Sequence, residues 1–224
     1  MQYLYDEGAG KATLELSGDS HRYLFRVRRH RAGESLHLRN LKDQILYRYR
    51  IETIDKKKAL LLLEEQREYR LESARRIHIG WCLIDPGRIE KALPSLNEIG
   101  VAKISFIYCR RSQKTFRPDF ERMRKILLNS SQQCGRSVMM ELERVESLKI
   151  FLARNPESWM LNFSEKNISD QKEAIETILV GAEGGFDEEE SAMIDHERIV
   201  GVNTPLILRS ETAVAAAAAA LLLS

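Results

Sequence analysis

The chain has 224 residues, 43% hydrophobic and 30% charged, with 12 Gly and 5 Pro, which is room for one large domain or two small ones. That composition excludes a disordered chain, a collagen-like repeat and a disulfide-stapled scaffold. The formal charge of +2, from 35 Lys and Arg against 33 Asp and Glu, says nothing by itself about a polyanionic partner.

Taken in chain order, the first seven residues, Met1 to Glu7, carry neither a basic cluster nor an apolar run, so a secretory leader is not expected. Residues 12–16, 34–38 and 45–51 alternate apolar with polar side chains and predict strands half-buried against a core. Tyr23, Leu24 and Val27 recur at helical spacing within an arginine-rich run, and residues 59–63 read as a further apolar strand followed by a charged connector. The first 73 residues are therefore expected to form a small β-barrel with one short basic helix.

From residue 74 the rhythm changes. Residues 77–84 form the continuous apolar run of a strand buried on both faces. A helix is predicted over 89–99, closed by Gly100, then a strand over 104–108 and a basic helix over 118–133, closed near Gly135. Strands over 159–163 and 177–180, a helix over 187–196, a strand over 199–202 and a final helix over 211–223 complete the pattern. This alternation predicts a mostly parallel α/β sheet across 74–224. The final helix carries the longest apolar stretch, Ala213 to Leu223. That is about half of the roughly 20 residues a membrane span needs, and its smooth alanine surface suits close packing in a core or a subunit interface. The three cysteines, Cys82, Cys109 and Cys134, form no C-x-x-C pair and read as thiols of a reducing cytoplasm, with no metal site.

Charge is concentrated in two windows. Residues 20–50 hold nine Lys and Arg against two acids, and residues 103–136 hold nine against two, so each is +7 and the remainder is −12. Each window alone is consistent with a solvated helix face; two together suggest a surface polarised for an anion such as RNA.

Three local patterns point to chemistry. Leu179 to Glu190 reads as a buried strand, a glycine loop at Gly181, Gly184 and Gly185, and a helix start with Asp187 as N-cap and Glu190 three residues on. Such a loop is either a tight turn or a place where backbone amides meet a ligand. The acids that follow it disfavour a polyphosphate, and neither G-x-x-x-x-G-K-[ST] nor G-x-G-x-x-G occurs. In Leu208-Arg209-Ser210-Glu211-Thr212-Ala213, Ser210 is placed to cap the last helix, and the Arg and Glu between apolar neighbours are either a surface ion pair or functional. Gln133-Cys134-Gly135-Arg136 reads as a helix end with an arginine near the carbonyl dipole. His78 and His196 read as structural.

Together these segments resemble the bacterial ribosomal RNA uracil-N3 methyltransferases of the SPOUT superfamily. Gly181-Ala182-Glu183-Gly184-Gly185-Phe186 is similar to that family's G-P-E-G-G-[FL] loop, with Ala182 in place of Pro. Residues 208–213 match its L-R-[TS]-E-T-A segment, and residues 133–136 its Q-[SC]-x-R. Asn97-Glu98-Ile99-Gly100-Val101, Arg111-Ser112 and the stretch 21–33 resemble three further family segments, whereas Thr204-Pro205-Leu206 stands where Gly-x-Arg is usual.

The resemblance implies a PUA-like RNA-binding barrel over 1–73, and over 74–224 a methyltransferase domain with a trefoil knot. It implies a cytoplasmic homodimer that uses S-adenosyl-L-methionine to methylate N3 of a uridine in 16S ribosomal RNA of the small subunit, with no metal and no membrane. For that reaction, which spreads negative charge over the uracil carbonyls, Arg209 and Glu211 are the catalytic candidates, Arg209 stabilising the charge with Glu211 orienting it, and Glu183 or Glu211 is the candidate base. Leu161, Gly181, Glu183, Gly184, Gly185, Gly201, Leu206, Leu208 and Ser210 are the candidates for cofactor binding. Arg22, Arg26, Arg28, Arg29, Arg111, Gln133 and Arg136 are the candidates for RNA binding. The alternatives are a non-enzymatic ribosome-assembly factor that keeps the fold, or a SPOUT methyltransferase with another RNA target.

Overall fold

In a computed structural model, which describes residues 2–112 and 115–223, the chain packs as two units. The first takes residues 2–72 together with 131–139; the second takes the remainder. Lys114, one of the nine basic residues of the second charged window, lies outside the described residues.

In the first unit the alternation predicted from sequence is realised as strands. They are β1 (Leu4–Tyr5), β2 (Thr13–Ser17), β3 (Ser35–Arg39), β4 (Ile45–Ile54) and β5 (Lys58–Glu68), in the order β1-β3-β4-β5-β2. The β1–β3 pairing is parallel and the others antiparallel. In β2, Leu14 and Leu16 turn inward while Thr13, Glu15 and Ser17 face water, the period-2 pattern of a one-sided sheet. The sheet curls around Leu14, Leu16, Leu24, Leu38, Tyr49, Ile51 and Leu61. Its two edge strands, β1 and β2, do not pair with each other, so the expected barrel is a curled sheet open along one seam.

Between β2 and β3 the chain turns through α1 (Gly18–His21) into a π-helical stretch, Arg22–Val27, anchored by fully buried Leu24. Arg39, counted among the basic residues of its window, is buried: its guanidinium lies 5.4 Å from the Tyr3 ring and 5.7 Å from the Tyr69 ring, and donates to the Tyr69 carbonyl at 2.6 Å.

The second unit is an α/β layer. Its strands are β6 (His78–Cys82), β7 (Lys103–Ile107), β8 (Glu141–Val145), β9 (Trp159–Leu161), β10 (Thr177–Val180) and β11 (Ile199–Val200). They form one parallel sheet in the order β11-β9-β10-β6-β7-β8. The helices are α2 (Pro86–Ile99), α3 (Phe120–Cys134), α4 (Leu148–Arg154), α5 (Glu188–Ser191) and α6 (Ser210–Leu222). Asp85 caps α2, accepting from the Arg88 amide at 3.1 Å, and Gly100 ends it at φ 108, the left-handed stop that glycine alone adopts without strain. The alanine-rich α6 packs against α2 with Val214, Ala217, Ala218 and Leu221 buried.

Four features differ from the sequence reading. The helix predicted over 187–196 is the single turn α5, because Asp195 caps a separate 3-10 turn by accepting from the Glu197 amide at 3.0 Å. β8 is an edge strand carrying Glu141, Glu143 and Arg144, so it lacks the apolar signature of its neighbours. The seven-residue α4 is too short to show a periodicity. Finally, Cys82 and Cys109 are joined as a disulfide, because the ends of the neighbouring strands β6 and β7 bring their Cα atoms to 5.6 Å. Among the described residues, no helix is long and apolar enough to cross a membrane.

A polar network crosses one face of the sheet. His78 Nε2 lies 2.7 Å from Ser105 Oγ, Ser105 donates to Glu143, and Lys103 pairs with Glu143 at 2.9 Å. Burial, reinforced by the nearby Lys103 charge, lowers the His78 pKa to about 4 from an ordinary 6.5. The unfolded chain therefore takes up a proton near pH 6.5 that the folded chain resists until about pH 4. The contribution of neutral His78 is present in full above pH 6.5 and is lost as pH falls through that window. Urea denaturation at closely spaced pH values is expected to show this loss, and His78→Gln to flatten it.

Candidate active site

Every strand of the second unit runs the same way, so the carboxyl ends of β9, β10 and β11 emerge side by side at one sheet edge. Open parallel sheets receive ligands at this edge. The loops that leave it enclose a cavity of about 470 Å³, within the usual size range of small-molecule sites. All nine residues singled out as cofactor candidates from sequence line it: Leu161 at the end of β9, Gly181, Glu183, Gly184 and Gly185 after β10, Gly201 after β11, and Leu206, Leu208 and Ser210 before and at the start of α6. Asn162, Ser164, Thr204 and Phe186 line it too; none of them was a sequence candidate. Glu183 is the one charged side chain in the lining, which holds no Lys or Arg among the described residues.

Two glycines are required by the backbone. A Cβ on Gly201 would stand 2.5 Å from the Ser164 carbonyl oxygen, and the Gly201 amide donates to the Lys166 carbonyl at 2.8 Å. Gly185 sits at φ 68 and closes a tight turn by donating to Ala182 O at 2.9 Å. In the substituted segment, Thr204 Oγ1 accepts from the Leu206 amide at 3.1 Å, and both residues keep their place in the wall.

The start of α6 is held by a relay of two hydrogen bonds, one buried and one part-buried. Trp81 Nε1 donates to Ser210 Oγ at 2.8 Å, and Ser210 Oγ donates to the Gly181 carbonyl at 2.5 Å. Ser210 is thus not the helix cap expected from sequence. Its hydroxyl is committed to the glycine loop, and the cap position falls to Arg209. The Arg209 side chain is exposed and has no hydrogen-bond or ion-pair partner among the described residues.

The sequence reading has Glu211 orienting Arg209, but the structure turns Glu211 to Arg88 on α2. Arg88 Nη1 lies 3.1 Å from Glu183 and 3.8 Å from Glu211, while the second Glu211 carboxylate oxygen is buried without a partner. Arg88 escapes a sequence reading because it belongs to no motif.

The acids after the glycine loop are paired as well. Arg110 bonds Asp187 at 3.2 Å and also Glu189, and its amide donates to buried Glu190 at 2.7 Å. The Glu190 amide, followed by Arg110, holds the Asp187 carboxyl below its ordinary value. Arg111 donates to the Gly184 carbonyl. The repulsion that the sequence assigns to these acids is therefore largely neutralised in place.

The seven RNA candidates fall in both units. Arg22, Arg26, Arg28 and Arg29 are exposed along and just after the π-helical stretch, Arg111 lies on the glycine loop and Gln133 is exposed. Arg136 is buried, its Nε donating to the Val138 carbonyl at 2.7 Å. Among the described residues, no group of three or more His, Cys, Asp or Glu is placed to hold a metal ion.

Residues 71–222 match an RNA methyltransferase domain and residues 16–64 an RNA methyltransferase PUA domain. The chain is 36% identical over 216 residues to ribosomal RNA small subunit methyltransferase E of Helicobacter pylori strain J99, covering 95% of this chain and 96% of the relative. Ribosomal RNA small subunit methyltransferase E of Neisseria gonorrhoeae, solved with S-adenosyl methionine, superposes with TM-score 0.81 at 21% identity, covering 99% of this chain and 96% of that one. A methyltransferase of Legionella pneumophila, solved with bound SAM, gives 0.78 at 24%, covering 98% and 96%. These two likenesses show the fold.

Removing the Ser210 hydroxyl strands the buried Trp81 N–H and releases the part-buried Gly181 carbonyl. Ser210→Ala is expected to lower unfolding free energy in urea by about 1–3 kcal/mol, and an unchanged midpoint would show that the relay carries no stability.

Proposed function

This chain belongs to the RNA methyltransferase family that includes ribosomal RNA small subunit methyltransferase E, and we propose that it methylates N3 of a uridine in 16S ribosomal RNA. The methyl donor in this reading is S-adenosyl-L-methionine. The observation that carries it is the cavity at the ends of β9, β10 and β11, assembled from loops remote in sequence.

The lining suits this donor. Leu161, Phe186 and Leu208 supply apolar walls for a flat base, and the backbone groups around Gly181, Gly184 and Gly201 supply donors and acceptors for its polar edges. A lining with no Lys or Arg offers no counter-ion to a nucleotide polyphosphate, whereas a sulfonium needs none. When bound, S-adenosyl-L-methionine supplies an electrophilic methyl group.

Uracil N3 becomes nucleophilic as its proton passes to a base, for which Glu183 is the carboxylate in the lining, and the negative charge spreads to the two flanking carbonyl oxygens. Arg209 is the catalytic cation of this reading: its neighbours Leu208 and Ser210 line the cavity, and its guanidinium is committed to no other group among the described residues. Arg88 and Glu211 act as a strut: Arg88 ties the Glu183 loop to the first turn of α6, which fixes where Arg209 leaves the backbone.

The first unit, with its exposed arginines, binds the RNA, and the second carries out the transfer. The same reading includes the knotted threading, a cytoplasmic location beside the small ribosomal subunit and a homodimer. Phe163, Leu206 and Ile207, 71% to 83% exposed, line the cavity and form an apolar rim; an apolar surface of this kind suits a second copy.

Arg209→Ala is expected to slow methyl transfer to small-subunit RNA about 10²–10³-fold with donor affinity retained, the usual effect of removing one charge-stabilising donor. Labelled-methyl transfer measures the rate and calorimetry the donor affinity; an unchanged rate rejects the role of Arg209. Nucleoside mass mapping of the product identifies the position, and a product other than N3-methyluridine would replace the uridine assignment.

A further inference from the structure

A second cavity, of about 500 Å³, opens in the first unit. Its walls include Arg22 and Arg26 from the π-helical stretch, Lys56 and Lys57 from the turn between β4 and β5, Lys58 at the start of β5, and His21. Lys58 pairs with Glu15 at 2.8 Å, and His21 Nε2 lies 3.0 Å from the Asp55 carbonyl. Arg22, Arg26, Lys56 and Lys57 have no ion pair or hydrogen bond from their side chains among the described residues.

The cations along β4 and β3 are held differently. Arg48 pairs with Glu64 and Glu65, Arg50 with Glu52 and Glu64, and Arg39 is buried against two tyrosine rings. Four cations without a partner among the described residues therefore line one concavity, whereas Arg48 and Arg50 on the adjoining strand are paired with acids. Like charges at this density repel one another, and low-dielectric walls focus their field on whatever enters.

The backbone contributes to the arrangement. The Arg28 amide donates to the Tyr23 carbonyl at 2.9 Å, the wide-turn bond that marks a π-helix. In a turn of that width, residues four apart project to nearly the same side. Arg22 and Arg26 thus share the cavity wall while Leu24 is fixed in the core beneath them. π-helical turns are rare and occur often at functional sites.

We propose that this cavity is a phosphate-binding cradle that grips successive phosphodiester groups of the substrate RNA, with Arg22, Arg26, Lys56 and Lys57 as its ligands. This assignment rests on the reading of the chain as an enzyme that acts on RNA. It adds the lysine turn to the arginines expected from sequence and makes the grip independent of base identity. A volume larger than one phosphate and four charges on two facing segments favour a strand over a single free ion.

The test is fluorescence anisotropy of the full chain with a labelled single-stranded RNA across a salt series. The variants are the doubles Arg26→Gln/Lys57→Gln and Arg22→Gln/Lys56→Gln, with Arg48→Gln as the paired-cation control. Each double is expected to weaken binding equally for different sequences. Each should also reduce the slope of log affinity against log salt by about 0.7 for every phosphate no longer neutralised. Lys57→Arg should keep the slope, and Arg48→Gln should change little. Wild-type affinity and slope in both doubles would overturn the cradle while leaving the methyltransferase reading intact. Failure of the wild-type chain to bind any RNA, naked or in subunits, would overturn that reading and the cradle with it. Doubles that bind naked RNA normally but bind intact small subunits weakly would place a protein partner in the cavity. Displacement of the RNA by inorganic phosphate at equal phosphate concentration would assign the cavity to a free ion. Either result overturns the cradle.

Discussion

The hydroxyl of Ser210 is the junction on which the candidate active site depends. It receives the Trp81 indole proton and gives its own to the Gly181 carbonyl, so one oxygen joins β6, the loop after β10 and the start of α6. The three elements are distant in sequence and meet within a buried region, where an unmade hydrogen bond costs far more than a made one gains. The position of Arg209 follows from this junction, because it is the residue just before the one that is pinned.

A second layer of order comes from charge pairing. Arg88 links the Glu183 loop to Glu211 on α6, Arg110 holds Asp187, Glu189 and Glu190, and Arg111 reaches the Gly184 carbonyl. Individually such exposed pairs are worth little. Here they fall on successive residues of one glycine-rich loop, whose backbone has few side chains of its own to define it. The outcome is a cavity wall of neutral backbone with its carboxylates already partnered. Arg22, Arg26, Lys56 and Lys57 show the opposite arrangement, without a side-chain partner among the described residues on a concave surface. The chain thus neutralises charge around the candidate cofactor cavity and leaves cations available where a polyanion is expected.

Much of this is legible in the residues. Leu14 and Leu16 between exposed neighbours announce β2, and the unbroken apolar runs announce the buried strands β6 and β10. Asp187 and Glu190 announce a capping box that the structure forms in full. The nine sequence candidates also reach the cavity wall, because the glycine loop and the segment before α6 both leave the sheet at the carboxyl ends of its strands. Where local signals fail, a competing interaction has decided the outcome. Asp195 caps its own turn and cuts a predicted helix short, and neighbouring strands bring Cys82 and Cys109 together across 27 residues of sequence.

The sequence by itself determined the two rhythms of the chain, alternation before residue 74 and strand–helix succession after it, because burial of apolar side chains imposes its period directly on the residue order. It also determined which loops are built of glycine and which segments are basic. Only the tertiary structure decided which charges remain available: it buried Arg39 and Arg136, partnered Glu211 with Arg88 in place of Arg209, and left Arg22, Arg26, Lys56 and Lys57 around one cavity. The reason is that the field of a charge depends on distances through space, and those distances are set by strand order and loop closure that no local pattern encodes.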